Sequence, residues 1–282
     1  MVRRPSGRDL RDVADHPGRE VSSGPPSVVL HQFLASHFNE KARWALDWKG
    51  VVHHRRTYLP GPHAPGLLRL SRQTSTPVLQ IDGEVVAGSA RIVDALERRV
   101  PERPLYPADP SARRQALEIQ AQFDAEVGPA ARTAVFSVLL KEPDYICLLF
   151  SRSKPKLAQA LYRGLFPATK RLMARANGVT GAREVDRAFQ RSGRALDFVA
   201  ETAGSAGPLV GDSFSVADLT CASLLAVLVD PPHPDMALPR PMPARLEDFR
   251  ARWAEHEGAR WVLGQYERFR PPRALDAASA GA

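Results

Sequence analysis

The chain has 282 residues and a formal net charge of +8, and hydrophobic residues make up 44% of it. This composition is typical of globular proteins and excludes a wholly disordered or fibrous chain. The two cysteines, Cys147 and Cys221, exclude a disulfide-rich secreted scaffold, a multi-cysteine zinc site and a CxxC redox motif. Both cysteines lie among apolar residues, which predicts buried and unreactive thiols.

The positive charge does not by itself predict a nucleic-acid partner. Arginines alternate with acidic residues, as in Arg-Asp-Leu-Arg-Asp at 8–12, and no basic run is interleaved with aromatic residues. We therefore expect a solvated, arginine-rich surface and no nucleic-acid binding. Because no apolar run approaches the roughly 20 residues of a spanning helix and the N-terminal region lacks a signal-peptide pattern, we also expect no membrane partner and a cytoplasmic location.

The sequence changes character along the chain and predicts five segments. Residues 1–27 are polar and rich in glycine, proline and serine, which predicts a disordered tail. Residues 28–104 mix strand-like runs with helical patterns, and the prolines around 105–110 predict a linker. The pattern of residues 111–270 is almost entirely helical, and residues 271–282 are expected to form a flexible C-terminus.

In the first of the two folded segments, strand and helix patterns alternate. Apolar and β-branched runs predict strands, and apolar residues at helical spacing, closed by Gly50, predict the first helix. The predicted elements are a strand at 28–33, a helix at 39–49, a strand at 51–59 and a short helix at 64–71.

A β-hairpin and a third helix complete this segment. Asp82-Gly83 separates the strand-like runs 77–81 and 84–87, which is a strong hairpin signal. Ser89 is predicted to cap the helix that follows. The order strand, helix, strand, helix, hairpin, helix predicts an α/β domain with a four-stranded mixed sheet and helices on its faces.

The second folded segment is predicted to be an all-α bundle. Prolines at 129, 143, 155 and 167 are expected to break or kink its early helices. Ser215 and Asp218 form a capping box at the start of an apolar helix. The predicted helices lie around 111–141, 144–177, 183–203, 216–229, 245–256 and 258–269.

Four features in this order resemble the glutathione S-transferase superfamily over residues 28–270. They are the strand, loop and helix from Leu30 to Trp44, the run Ser-Thr-Pro-Val-Leu at 75–79, Asp82-Gly83 followed by Gly-Ser-Ala-Arg-Ile at 88–92, and the capping box at 215–218. The resemblance implies a thioredoxin-like N-terminal domain, an all-helical C-terminal domain, glutathione as co-substrate and a homodimer.

The resemblance also implies a catalytic role for Ser36, which matches the position held by serine or cysteine in the serine- and cysteine-type classes. A glutathione transferase must lower the pKa of the bound thiol, because a free thiol with a pKa near 8.5 is only a few per cent ionised at neutral pH. Ser36 is then the hydroxyl that donates to the thiolate, at the N-terminus of a helix. Its alternative role is simply to cap that helix. Since neither Ser36 nor Asn39 is cysteine, a mechanism through a protein disulfide is disfavoured.

Further glutathione-site residues follow from the same resemblance. His37, where relatives often carry proline, either bonds a substrate or is an exposed loop histidine, and Phe38 contributes to the site or only packs. Pro77 resembles the family's cis-proline, which turns the backbone so that Val78 can pair with the peptide; a trans proline is the alternative. Ser89 matches the serine that contacts the γ-glutamyl carboxylate, or is a plain helix cap.

One position departs from the family pattern. Relatives commonly carry glutamate or aspartate before the serine at 89, where this chain has Gly88. Losing that carboxylate removes an ionic contact with the ammonium group of the peptide, worth about 1–3 kcal/mol if the pair is desolvated. Glutathione is then expected to bind more weakly, unless another acid or another thiol takes its place.

Three hypotheses of function remain open on the sequence. The first is transfer of the glutathione thiolate to an electrophile held against the helical domain, with Phe136, Tyr145 and Phe150 either lining that second site or packing in the core. The second is a non-catalytic ligand- or protein-binding module. The third is a glutathione-dependent reductase or isomerase. No metal site is expected, because HxxxH and HExxH patterns are absent from the sequence.

Overall fold

The computed structural model describes residues 28–203 and 207–274. The predicted tail at 1–27 lies outside the described residues, as do residues 275–282 of the predicted C-terminal segment. The predicted fold class is confirmed: a four-stranded mixed sheet with its helices is followed by a helical domain.

The N-terminal domain has the predicted order of elements. Its sheet has the strand order β2-β1-β3-β4, in which β1 is parallel to β2 and antiparallel to β3. At the centre of the sheet Leu30 lies beside Arg55 on one side and Leu79 on the other. The elements are β1 (Val28–Gln32), α1 (His37–Trp48), β2 (His54–Thr57), α2 (Ala64–Ser71), β3 (Val78–Ile81), β4 (Glu84–Ala87) and α3 (Ser89–Arg99).

The C-terminal domain consists of eight helices in its described residues, with one π-helical turn between the first two. Helix α9 is the most apolar of them and packs against α1 of the other domain. The elements are α4 (Pro110–Gln122), the π-helical turn (Phe123–Val127), α5 (Gly128–Leu139), α6 (Pro143–Ser151), α7 (Lys156–Ala176), α8 (Ala182–Ala203), α9 (Val216–Val229), α10 (Ala244–Ala254) and α11 (Glu257–Phe269).

The prolines define several of these boundaries. Pro143 lies in the first turn of α6, where the missing N–H group has no helical partner to lose, and Pro129 directly follows the π-helical turn as the second residue of α5. Pro155 caps α7, so the single helix predicted at 144–177 is two helices, while Pro167 is accommodated inside α7. The helix predicted at 111–141 instead runs without a break from 110 to 139 and contains one π-helical turn.

Two cap predictions have different outcomes. The capping box is confirmed, because Ala217 N donates to Ser215 Oγ at 3.2 Å and Ser215 N donates to Asp218 at 2.8 Å. The predicted cap at Ser89 is wrong: α3 begins at Ser89, and Gly88 is its N-cap. Gly88 has a φ of +97° and donates its N–H to Pro77 O, a conformation that favours glycine.

The second strand and the C-terminal segment differ from prediction. Strand β2 starts at His54 because Val51 N bonds Leu46 O and so closes the end of α1. The flexible segment does not begin at residue 271, since Arg273 donates to His53 O and Ala274 N donates to Asp47. The chain therefore stays attached to the N-terminal domain at least as far as residue 274.

The two cysteines are buried, as predicted. Burial raises the pKa of Cys147 to about 11 and raises that of Cys221 well above its ordinary value. Both thiols are therefore protonated at neutral pH. None of the described helices is both long and apolar enough to cross a membrane.

Helix α1 lies at the centre of the molecule and carries buried charges. Lys41 and Arg43 are 0% and 1% exposed, although the sequence predicts that arginine and lysine lie on a solvated surface. Lys41 pairs with Asp124 of the π-helical turn at 2.7 Å, and Arg43 pairs with Glu40 at 2.8 Å. These charged side chains can be buried because each of them meets a partner of opposite charge within the protein.

Candidate active site at the domain interface

A cavity of about 170 Å³ lies between the two domains. One wall is the loop of residues 33–38 with Pro60, Ser75 and Thr76, and the other is built from the helical domain and the segment 235–238. The wall is predominantly apolar, which suits a small hydrophobic ligand. Its apolar side chains are Phe33, Leu34, Ala35, Phe38, Val135, Phe136, Leu139, Leu149, Phe150, Met173, Val227, Met236, Ala237, Leu238 and Leu246.

Ser36 lies in this wall and is the N-cap of α1. Its backbone is extended, with φ −155° and ψ 124°, and its Oγ accepts a hydrogen bond from Asn39 N at 3.5 Å. Because the oxygen is the acceptor in this contact, the hydroxyl proton can be donated to another group. The positive end of the α1 dipole lies at the same point. The two alternatives for Ser36 are thus compatible, since one hydroxyl can cap the helix and face a ligand.

His37 also lines the cavity, but it is not the exposed loop histidine that was one alternative. It is the first residue of α1, is 3% exposed, and its Nε2 lies 2.9 Å from Gly128 O. A carbonyl oxygen only accepts, so Nε2 carries the proton. Burial, together with the positive charge of Arg132, lowers the pKa of His37 to about 3. The ring is therefore neutral at physiological pH.

Phe38 both packs and lines the cavity. Its ring lies directly against Gly128 of α5, where an added Cβ would be 2.5 Å from Phe38 Cζ. The guanidinium carbon of Arg132 is 6.0 Å from the centre of the same ring. Phe38 thus fixes the distance between the Ser36 loop and α5.

The turn at Pro77 reaches the cavity through Thr76. The Thr76–Pro77 peptide bond is cis, as the resemblance implies. Asn39 Nδ2 donates to Thr76 Oγ1 at 3.0 Å, which joins this turn to the first turn of α1. Val78 is fully buried in β3 between β1 and β4 and does not line the cavity, whereas Ser75 and Thr76, just before the proline, do.

Three other predicted residues lie outside the cavity wall. Ser89 is buried at the start of α3, and Ser215 and Asp218 are buried at the start of α9. Burial raises the pKa of Asp218, while hydrogen bonds from Leu209 N and Ser215 act in the opposite direction. The capping box is therefore structural, and a role of Ser89 in glutathione binding stays a prediction.

Two of the three aromatic side chains predicted to line a second-substrate site lie in the cavity wall. Phe136 and Phe150 line the cavity, with ring centres 6.2 Å apart. Tyr145 is not part of the wall, because its hydroxyl donates to Pro239 O at 2.9 Å.

Sequence reasoning missed the charged residues of the wall, which are Arg132, Asp235 and Arg250. Arg132 is the only charged residue of α5, and a single arginine in an otherwise apolar and small-residue helix was the available signal. Burial lowers the pKa of both Arg132 and Arg250. Asp235 does not stand out in the sequence in the way that Arg132 does, because it lies in a proline-rich loop and not in an apolar helix.

Asp235 belongs to a buried ion cluster behind the cavity wall. Its carboxylate pairs with Arg270 at 2.7 Å and with Arg55, and Arg43 lies 3.6 Å away. Asp235 together with Glu40 and His233 offers metal-ligating atoms within 4.8 Å of one another. Because arginines already occupy both carboxylates, these residues fit an ion-pair cluster better than a cation site.

Comparison with known proteins identifies relatives of part of this chain. The family model for the glutathione S-transferase N-terminal domain matches residues 30–104. A probable maleylacetoacetate isomerase from Caenorhabditis elegans is 28% identical over 116 residues, 40% of this chain and 54% of the relative. A glutathione S-transferase from Pseudomonas putida is 28% identical over 106 residues, 38% of this chain and 48% of the relative. The chain thus spans about half the length of the curated relatives it matches.

The whole fold is found among solved structures. A beta-etherase from Sphingobium sp. strain SYK-6 superposes with a TM-score of 0.62 at 18% identity, covering 91% of this chain and 100% of that one. At this identity the likeness shows the fold alone.

Proposed function

Since this chain belongs to the glutathione S-transferase superfamily, we propose that it binds glutathione and transfers its thiolate to a small apolar electrophile. One observation carries the proposal: Ser36, at the N-terminus of α1, and Thr76, before the cis-proline, line the same apolar cavity between the domains. The first can stabilise a thiolate and the second can pair with a peptide backbone. The apolar helical wall then holds the second substrate.

The chemistry follows from the groups in the wall. The thiol of glutathione loses its proton to solvent, and the resulting thiolate is stabilised by the Ser36 hydroxyl and by the positive end of α1. The thiolate attacks the electrophilic carbon, a sulfur–carbon bond forms, and the leaving group departs with the electron pair of its bond. His37 is neutral and donates to Gly128 O, so it serves as a positioning residue and not as the acid or base.

Isomerisation is the second candidate, and the name of the relative from Caenorhabditis elegans favours it. In that reaction the thiolate adds to a carbon–carbon double bond, the adduct rotates, and the thiolate leaves again, so that glutathione is not consumed. Both reactions need the same thiolate beside Ser36. Reduction through a protein disulfide has no support at this site, because positions 36 and 39 are serine and asparagine.

Glutathione binding tests the proposal directly. Adding reduced glutathione in millimolar excess should raise the Tm, because a ligand of the folded state stabilises it by RT ln(1 + [L]/Kd). Conjugation of 1-chloro-2,4-dinitrobenzene, followed by absorbance, should then be detectable and should depend on Ser36. No Tm shift and no turnover would favour a non-catalytic binding module instead. Mass spectrometry of products with an activated cis-alkene separates a conjugate from an isomer.

The cell-level and assembly expectations belong to the same proposal. A detoxifying role in the cytoplasm and a homodimer are what membership of the superfamily implies. Light scattering at micromolar concentration tests the dimer: a mass of twice 31.0 kDa supports it, and 31.0 kDa contradicts it.

A further inference from the structure

We propose that the second substrate is an apolar acid whose carboxylate, or a similar anionic group, pairs with the guanidinium group of Arg132. The inference rests on the proposed function, because it names the class of compound held in the same cavity. With such a contact, the protein would select its electrophiles by charge as well as by hydrophobicity.

Arg132 is placed to meet such a ligand. It projects from α5 one turn after Gly128, lines the cavity, and lies with its guanidinium carbon 6.0 Å from the Phe38 ring. Phe38 follows Ser36 and His37 in the loop that begins α1. An anion at Arg132 therefore lies near the place where the sulfur of glutathione is proposed to bind.

The charge of Arg132 is unpaired within the described part of the chain. Its Nε is buried and has no hydrogen-bond partner, and none of the ion pairs found among the described residues includes Arg132. Arg132 is half-buried, and among the described residues the fully buried cations each have a carboxylate within 2.8 Å. The examples are Lys41 with Asp124, Arg43 with Glu40, Lys49 with Glu97 and Arg270 with Glu40.

An unpaired cation in an apolar wall is unfavourable for the protein alone. The buried Nε of Arg132 has given up its contact with water without gaining an acceptor, so its desolvation is uncompensated. An anionic ligand supplies the missing acceptor, and a carboxylate matches the planar guanidinium group with two parallel hydrogen bonds. The apolar remainder of the wall selects the hydrocarbon part of the ligand.

Arg250 lines the same cavity and provides a comparison. Its Nε and Nη1 also lack hydrogen bonds, but Asp230 lies 3.7 Å from Nη1 and compensates part of the charge. We therefore assign the principal contact with the anion to Arg132.

Calorimetric titration with 2-naphthoate and 2-naphthamide at pH 7, without glutathione, tests the assignment. The two probes share the same bicyclic ring and differ in charge. The wild-type protein should bind naphthoate at least tenfold more tightly, and Arg132→Met should weaken naphthoate binding by about tenfold to a hundredfold, as hydrogen bonds to a charged group predict. Arg187→Met removes an exposed arginine of α8 and controls for net charge. Equal binding of both probes to the wild type, or an equal loss of both in Arg132→Met, overturns the proposal.

Turnover distinguishes this contact from a role in thiolate formation. The ratio of kcat/KM for 4-chloro-3,5-dinitrobenzoate to that for its methyl ester should fall in Arg132→Met. An unchanged ratio, together with a raised pH midpoint for the ester, assigns Arg132 to the thiolate and overturns the proposal. Because the calorimetric test contains no glutathione, a preference for naphthoate without any glutathione binding would reject the proposed function and retain the anion subsite.

Discussion

At the scale of single residues, Ser36 has two contacts to make with one hydroxyl group. Its oxygen accepts from Asn39 N and caps α1, while its proton is free for a ligand in the cavity. Replacing the residue therefore removes both a helix cap and the proposed donor to the thiolate. The two effects can be separated, because some residues cap a helix without offering a proton.

We expect Ser36→Ala to lose about 1 kcal/mol of unfolding free energy, the usual value of a helix cap, and to raise the pH midpoint of kcat/KM with 1-chloro-2,4-dinitrobenzene. Ser36→Asp should keep most of the stability, because aspartate caps as well as serine. It should nevertheless lose turnover, since its carboxylate repels a thiolate. Urea unfolding and pH–rate profiles measure the two effects. Full activity in Ser36→Asp would refute the proposed donor.

At position 88 an acidic residue would supply a charge for glutathione but would have to adopt a backbone conformation that favours glycine. With φ +97° and ψ 138° Gly88 lies where L-residues are strained by about 1–3 kcal/mol, yet an added Cβ there meets no atom within 4 Å. Gly88→Asp should therefore lower stability while restoring the carboxylate that relatives of the resembled superfamily carry. We expect calorimetry to show glutathione binding at least fivefold more tightly. Gly83→Asp, at a hairpin turn with φ +83° and equally open space, is the matched control and should not change affinity.

At the scale of elements, the contact between α1 and α5 sets the shape of the cavity. Gly128 begins α5 and touches Phe38, and its carbonyl accepts from His37. A side chain at 128 would displace the Phe38 ring, which is itself part of the cavity wall. The close approach of the two helices therefore requires glycine.

Gly128→Ala should lower the unfolding free energy by about 1–3 kcal/mol through overpacking, even though alanine favours helix by about 1 kcal/mol over glycine. It should also alter KM for the electrophile, because Phe38 must move. Gly164→Ala in α7 is the matched control, since nothing lies within 4 Å of its added Cβ and a small gain in stability is expected. Urea unfolding measures the unfolding free energy of both variants. An equal gain in unfolding free energy for Gly128→Ala and Gly164→Ala would contradict the packing argument.

The local patterns of the sequence predicted these elements well and their boundaries less well. The hairpin at Asp82-Gly83, helix α2 and the capping box of α9 are found where the sequence places them, because each depends on neighbouring residues. The sequence predicted a break or kink at Pro129 but not the π-helical turn that lies just before it. Asp124 of this turn binds Lys41, which is 83 positions away in the sequence.

At the scale of the whole molecule, a buried ion cluster joins the two domains. Arg270, which follows α11, pairs with Glu40 and Asp47 of α1 and with Asp235 of the loop that lines the cavity. The cluster therefore links the shape of the site to the closure of the domain interface.

Asp235→Asn should destabilise the protein by about 3–5 kcal/mol, because it leaves buried arginines without a full counter-charge. Its matched control is Glu142→Gln, which breaks the more exposed pair with Arg245 and should cost less than about 1 kcal/mol. Urea unfolding measures the unfolding free energy of both variants. Comparable losses of unfolding free energy would show that the cluster contributes no more than a surface ion pair.

Stability should also depend on pH through Glu40. Burial raises the pKa of its carboxyl group, but the charges of Arg270 and Arg43 outweigh burial and lower the pKa from 4.5 to about 2. A lowered folded-state pKa gives stability that is complete above pH 4.5 and is lost as the pH falls towards 2. Asp47 and Asp218, whose pKa values burial raises, act in the opposite direction.

The contribution of Glu40 is isolated by comparing variants. The urea midpoint of the wild-type protein, minus that of Glu40→Gln, should decrease between pH 5 and pH 2. Glu102→Gln, an exposed carboxylate between α3 and α4, should show no such trend. A difference that does not change with pH would contradict a charged Glu40 in the folded state.

Local sequence patterns were enough to predict the order of the strands and helices, the hairpin, the caps of α1 and α9, and the region that contains Ser36, His37 and Phe38. These depend on hydrophobic periodicity and on side chains within a few positions of one another. Three features become visible only once the chain is folded: α1 is buried with its charges paired, Thr76 and not Val78 lines the cavity, and Arg132 lies unpaired in the cavity wall. The energy of a buried charge depends on partners that are distant in sequence, as Glu40 and Arg270 are at 230 positions apart, so no local pattern can reveal it.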